Sequence, residues 1–475
     1  MSLHIIPRPQ DLTLLEGPAA VLSSAKILEL AAAVRPEAPA AADRLAAFAN
    51  EAAQGGSESA VEANPTLDFV LDDSLAPESF ELVVTEGGVS IKAASAAGAL
   101  YAVNALIQAQ RTPNAPAFSA SSTPRYPNRG FMLDIARHFF GVKEIKQVID
   151  IASTYNLNRL HLHLSDDQGW RIEIDGRPEL TKLASANDAD GGPGGFLNFD
   201  DYEEIQVYAA LHGMTVIPEI DLPGHTNALL VAFPEASPDG KPREPYAGIE
   251  VGFSWVNLTS DDTWAILDDI VASLARRTHG EYLHLGGDEV LKVERPEYEE
   301  FMTRLGKLVT KHGKKMVAWH EVAGSELQDD TQVQFWTANF NLEKLATIAE
   351  NPNVQVIASP APHVYLDLKP VEDFPLGLTW AGLVPLKATF EWEPSEAVPV
   401  PAKMITGVES CLWTETIRTM DDITTMMLPR IAGVASVAWG SPRDFEEFAQ
   451  ALPTHARDWA AREVAFYRDP AVNWD

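Results

Sequence analysis

From about residue 126 onward, short apolar runs alternate with longer stretches in which apolar residues recur every three or four positions. The runs fall at 130–135, 159–164, 215–220, 282–287, 315–320, 332–336, 354–359 and 405–412. Helical patterns occupy 142–155, 201–212, 261–278 and 296–312, between the runs. Strands alternating with helices in this way predict an α/β fold, a (β/α)8 TIM barrel. A doubly wound open sheet is the rival. It calls for a glycine-rich turn after the first strand, and Asp134-Ile135-Ala136-Arg137-His138 is not one.

The first 124 residues follow another rhythm. Alanine-rich helical stretches at 31–33 and 40–53 precede β-like runs at 67–71, 80–84 and 89–93. Gly87-Gly88 reads as a hairpin turn, and 97–110 as an amphipathic helix. This predicts a small α+β domain over 1–124, a Ser/Pro/Ala-rich linker over 115–127, and a barrel domain over 125–475.

Composition narrows the possible partners. Lys and Arg number 36 against 68 Asp and Glu, a formal net charge of −32, so phosphate-rich partners such as nucleic acid or an anionic membrane are repelled. The single cysteine, Cys411, excludes an internal disulfide and a cysteine-based zinc site. No apolar run is long enough to span a membrane. The start, Met1-Ser2-Leu3-His4, shows no leader pattern. The expectation is therefore a cytoplasmic protein as it stands, or a secreted one if a leader has been trimmed.

A barrel gathers its chemistry at the carboxyl ends of its strands. The residues following the runs are Asp134 with Arg137-His138, Ser165-Asp166-Asp167, Asp221 with His225, Asp288-Glu289, Trp319 to Glu321, Trp336, Tyr365 with Asp367, and Trp413 with Glu415. Any acidic pair taken alone reads as a solvated loop. The glycines of His284-Leu285-Gly286-Gly287-Asp288-Glu289 and its place at a strand exit reverse that reading. His161 and His163 share a strand face and with Asp166 could ligate a metal, but hydrogen bonding inside the barrel explains them better. His225 is a candidate for orienting an acid. Trp319, Trp336, Trp380 and Trp413 suit stacking on the apolar face of a sugar.

Carboxylates and indoles at a barrel mouth point to glycoside hydrolysis. The ordinary scheme needs carboxyls flanking the sugar, about 5–5.5 Å apart for retention or about 6.5–9.5 Å for inversion. Consecutive residues such as Asp288 and Glu289 serve opposite sides of one bond poorly. A substrate carrying its own nucleophile, a 2-acetamido carbonyl, removes the difficulty.

Several stretches carry a family resemblance. They are Arg129-Gly130-Phe131-Met132-Leu133-Asp134 with Arg137-His138-Phe139, 161–170 (HLHLSDDQGW), 218–225 (PEIDLPGH), 284–289 (HLGGDE), Trp319-His320-Glu321, Tyr365-Leu366-Asp367 and Leu412-Trp413-Thr414-Glu415. Over about 125–440 the chain resembles glycoside hydrolase family 20, the β-N-acetylhexosaminidases. Its first part is similar to the α+β domain that precedes the family's barrel. The resemblance implies a retaining exo-enzyme that removes terminal GlcNAc or GalNAc through an oxazolinium intermediate. It implies Glu289 as general acid/base, Asp288 and Tyr365 as the acetamido clamp, and Asp166 with His225 as a relay to Glu289. Arg129, Asp367 and Glu415 would hold the sugar, and Trp319, Trp336, Trp380 and Trp413 would line its pocket. Arg129 is out of phase with Asp134, so its role rests on the resemblance alone. The expected partner is an oligosaccharide, with no cofactor and no metal. A binding protein without activity and a metal-dependent hydrolase are the competing readings.

Overall fold

In a computed structural model of the chain, residues 3–54, 65–339 and 341–474 are described. Met1 and Ser2, read above with the N-terminus, lie outside them. The first part is a five-stranded sheet of β1 (Asp11–Pro18), β2 (Thr66–Leu71), β3 (Phe80–Thr85), β4 (Gly88–Ala93) and β5 (Pro116–Ser122), in the order β1-β5-β3-β4-β2. The expected hairpin is present: β3 and β4 run antiparallel, with Thr85 opposite Gly88. Helices Ser24–Val34, Pro39–Gln54 and Ala96–Arg111 complete this unit. Ser23 and Ser95 cap the first and last by accepting the backbone N–H of Lys26 and Gly98.

The segment expected to be a linker is an interior strand. β5 pairs with β1 on one side and β3 on the other. Pro116 opens the strand, where a missing N–H costs least, and Phe118 and Ala120 are buried in the core. Serines among these residues disguised a half-buried alternation as linker composition.

Eight parallel strands then close a barrel: β6 (Asn128–Asp134), β7 (Arg159–His163), β8 (Thr215–Glu219), β9 (Tyr282–His284), β10 (Lys315–Trp319), β11 (Gln332–Phe335), β12 (Gln355–Ala358) and β13 (Ile405–Leu412). Each matches an apolar run read from the sequence. Long helices such as Val142–Thr154, Phe199–Leu211, Asp261–Arg277 and Arg295–Lys311 pack outside. Between β12 and β13 the crossover is built instead of short helices and turns.

The barrel interior is polar. Glu219 of β8 accepts from His161 Nε2 at 3.0 Å and Trp319 Nε1 at 2.9 Å, pairs with His284 Nδ1 at 2.9 Å, and touches His163 Nδ1. His161 Nδ1 meets Glu409 of β13 at 2.8 Å, and Gln334 donates to the same Glu409 oxygen at 2.8 Å. Burial works against charge on the two histidines. The carboxylates outweigh it and hold His161 at about 9 and His163 at about 10. Metal-competent groups such as His161, Glu219 and His284 do lie within 4.8 Å of one another. Glu219 pairs with both imidazoles and His161 with Glu409 as well, while His284 Nε2 has no hydrogen-bond partner among the described residues.

Arg129 corrects an expectation. It is the second residue of β6, at the end of the barrel opposite the mouth, and is wholly buried. Its guanidinium pairs with Glu78 at 2.9 Å, donates to Tyr101 Oη at 2.7 Å and to the carbonyls of Asn156 and Tyr126, and lies 5.2 Å from the ring centres of both Tyr101 and Trp439. It fastens the sheet unit to the barrel and is remote from any sugar site. Trp439, at the end of helix Arg430–Trp439, buries its indole in the sheet unit's core and donates to Ser122 Oγ at 2.8 Å.

Two outcomes are expected. Arg129→Leu strands Glu78 and Tyr101 and lowers unfolding stability by about 3 kcal/mol, measured by calorimetry, while ligand affinity at the barrel mouth is unchanged. His161 and His163 bind protons more tightly folded than unfolded, so their contribution is complete below about pH 6.5 and is lost as pH rises toward the folded values. The melting midpoint should fall steadily from pH 6.5 to 10; a level midpoint across that window would contradict the charged interior.

Candidate active site

The mouth at the carboxyl ends of the strands encloses a cavity of about 350 Å³. One wall comes from the exit of β9. Gly286 and Gly287 have φ of 62° and 110°, and a Cβ on Gly286 would come within 1.7 Å of Asp221 Oδ1. These glycines fold the chain back so that Asp288 and Glu289, consecutive in sequence, both line the cavity. Glu289 itself has φ 50° and His225 φ 52°, left-handed conformations that side chains with a Cβ adopt only against strain.

His225 is the contact between this wall and the barrel interior. Its Nε2 lies 3.5 Å from Glu289 Oε2 and 3.8 Å from Asp288 Oδ2, and its Nδ1 3.2 Å from Asp166 Oδ1. Asp166 also meets Arg137 Nη2 at 2.7 Å and His163 Nε2 at 3.0 Å. Burial opposes its ionisation, but Arg137 and His225 hold it well below the usual carboxylate range. His225 is held well above the ordinary histidine value, because Asp166, Asp221 and Asp288 outweigh its burial.

Asp288 is pushed the other way. Burial, with Glu321 and Glu289 nearby, raises it to about 7 in spite of His225. Asp221, reached by the Gly287 N–H at 3.0 Å, is pushed well above the usual range by burial and by Asp288. Carboxyl groups with such contrasting environments belong to acid–base sites more often than to structural ion pairs.

Aromatic rings form the facing wall. Tyr365 stacks with Trp336 at 6.4 Å between ring centres, lies 6.3 Å from Trp413, and meets Trp380 edge-on at 5.8 Å. Trp380 is half exposed at the rim. Trp319 stands one layer lower: it is fully buried, lies 5.9 Å from Trp413 and does not reach the cavity surface. It therefore acts as floor beneath the pocket that it was expected to line.

Asp367 and Glu415 complete the rim beside Arg137. Asp367 is raised well above its ordinary value by burial and by Glu415, and its Oδ2 has no protein partner. Glu415 is raised by burial despite Arg137. Arg137 meets Asp134 at 3.2 Å and lies over the Trp413 ring at 4.9 Å. It lines the cavity, where Arg129 had been expected. The signal for Arg137 was its place just past the end of β6, where Arg129 sits at the wrong end of the same strand. Ile249, Val251 and Asn339 also line the cavity, and no spacing in the sequence pointed to them.

The sequence matches "Glycosyl hydrolase family 20, catalytic domain" over residues 126–442 and "Glycosyl hydrolase family 20, domain 2" over 2–119. A β-N-acetylhexosaminidase of Cellulomonas fimi is 39% identical over 99% of this chain and 97% of its own. The fold superposes on Streptomyces plicatus N-acetyl-β-hexosaminidase in complex with thio-NAglucal, with TM-score 0.86, 35% identity and coverage of 100% and 98% of the two chains. It also matches the family 20 β-N-acetylhexosaminidase of Streptomyces coelicolor at TM-score 0.85 and 34% identity, over 100% and 99% of the two chains. With family matches across both the sheet unit and the barrel, and a carboxylate–indole cavity at the barrel mouth, the chain belongs to glycosyl hydrolase family 20.

Proposed function

We propose that this β-N-acetylhexosaminidase is a retaining exo-enzyme that cleaves terminal β-linked GlcNAc or GalNAc, with the 2-acetamido carbonyl of the substrate as nucleophile. One observation carries this reading. Asp288 and Glu289 leave one strand side by side, and they face a box of Trp336, Tyr365 and Trp413 across the cavity. That geometry suits a proton donor and an amide clamp at one edge of a sugar, with the acetamido methyl enclosed by rings.

In the first step Glu289 gives its proton to the glycosidic oxygen as the C1–O bond breaks. The acetamido oxygen bonds to C1, producing the oxazolinium ion. Asp288 accepts the amide N–H and offsets the positive charge, and the Tyr365 hydroxyl donates to the acetamido oxygen and fixes its angle of attack. Holding an internal nucleophile in place replaces much of the entropic cost of a bimolecular step. In the second step the Glu289 carboxylate takes a proton from water as the water oxygen attacks C1. The ring opens, and the product keeps the β configuration.

Supporting residues follow from their contacts. His225, fixed by Asp166, is the positive charge next to Glu289 in both of its states. Arg137, Asp367 and Glu415 face the same end of the cavity and supply donors and acceptors for ring hydroxyls. The indole box rewards a methyl group modestly, while the amide hydrogen bonds supply the sharper discrimination.

Glu289→Gln should lower turnover of an aryl N-acetylglucosaminide by about 10²–10⁴-fold when the leaving group is poor, and far less when it is a strongly acidic phenol. A thiazoline analogue of the intermediate should inhibit the unsubstituted enzyme much more tightly than the substrate binds. Full activity in the Glu289→Gln protein, or indifference to the thiazoline, would overturn the assignment.

A further inference from the structure

Glu321 belongs to the motif Trp319-His320-Glu321, and the steps above leave it without a task. It lies on the short turn His320–Val322 that follows β10. Its backbone carbonyl is gripped by Arg295 Nη2 at 2.6 Å and Asn341 Nδ2 at 3.1 Å, so the direction of its side chain is set by the turn. That side chain points inward and is 10% exposed. Both carboxyl oxygens face the indole N–H of Trp336, at 3.1 and 3.2 Å. Trp336 is the ring that stacks parallel to Tyr365 and meets Trp380 edge-on at 5.7 Å. The orientation of one wall of the box thus passes through a hydrogen bond to a buried acid.

We propose that Glu321 is a positioning residue that sets the size of the acyl pocket, holding the Trp336 indole against Tyr365 so that the enclosure fits an acetyl group. The inference rests on the acetamido reading given above and extends it to the choice of acyl chain. A carboxyl is suited to this place because it accepts the indole N–H whether or not it is ionised.

The same group has an electrostatic consequence. Facing it are Asp288 and Glu289 from the exit of β9, Arg295 and Tyr298 from helix Arg295–Lys311, and His320 on its own turn, whose Nδ1 lies 3.4 Å from Oε2. Burial, with Glu289 close by, raises Glu321 to about 8 against the opposing pull of Arg295 and the Trp336 hydrogen bond. Near neutral pH it is uncharged. As pH rises past about 8 it becomes a further anion beside Asp288 and Glu289.

The test compares Glu321→Gln, which keeps an acceptor for the indole and removes the charge, with Glu321→Leu, which removes both. Rates of the full-length enzyme are measured against pH on matched aryl N-acetyl- and N-propionylglucosaminides. Glu321→Leu should raise KM for the N-acetyl substrate and reduce the acetyl-over-propionyl preference in kcat/KM by roughly ten-fold, the range expected for one methylene in an apolar pocket. Glu321→Gln should keep the KM and the preference. Trp336→Phe retains a ring without the N–H and should relax the preference in the same way, so the inference stays testable if the Leu variant does not fold. Unchanged acyl preference in both Glu321→Leu and Trp336→Phe, or in Trp336→Phe alone where the Leu variant is lost, overturns the proposal, as does a loss of preference in Glu321→Gln as large as in Glu321→Leu. Thiazoline inhibition of the unsubstituted enzyme is read in parallel. Its absence removes the acetamido reading, whereas inhibition with a constant acyl preference removes only the role of Glu321.

Discussion

Asp166 is the carboxylate on which the site depends. Its two oxygens meet Arg137, His163 and His225, and each contact leads to a different part of the molecule. Arg137 leads to the cavity rim, His163 to the charged axis of the barrel, and His225 to the Asp288–Glu289 pair. An anion with three cationic partners and no exposure is costly to disturb, since loss of one partner leaves charge stranded in a low dielectric. The placement of the acid is therefore inherited from the barrel interior.

That interior runs as an alternation of acid and base. Glu409, His161, Glu219, His163, Asp166 and His225 follow one another by direct contact from β13 to the wall that carries Asp288 and Glu289. Alternating signs let each group offset the burial of its neighbours. An apolar filling would pack as well or better, but it could not hold an imidazolium at the cavity floor. The strained backbones of His225 and Glu289 lie where this line meets the cavity, which is where stored strain is commonly found.

Much of this was legible in the sequence because barrels obey a positional rule. Each apolar run became a strand, and Asp288, Glu289, His225, Trp336, Tyr365, Asp367, Trp413 and Glu415 appeared where strand ends place them. The misreadings have two sources: a resemblance followed against the positional rule, and a local pattern that does not state which strand lies next to which. Arg129 was assigned from the resemblance alone although it lies near the start of β6, whereas Arg137 follows that strand's carboxyl end. Glu219 sits inside Pro218-Glu219-Ile220 with nothing nearby to mark it, since its partners come from β7, β9 and β10. The serines and prolines of 115–127 resemble a linker until β1 and β3 are found on either side of them.

Trp439 gives the chain an unusual order of assembly. The core of the sheet unit, otherwise made from the first 122 residues, is closed by an indole that arrives 439 residues into a chain of 475. During synthesis the seam beside Tyr101 stays open until residue 439 has been made. Early-made and late-made sequence thus share one core, and the sheet unit without residue 439 would present an open apolar edge where that indole packs.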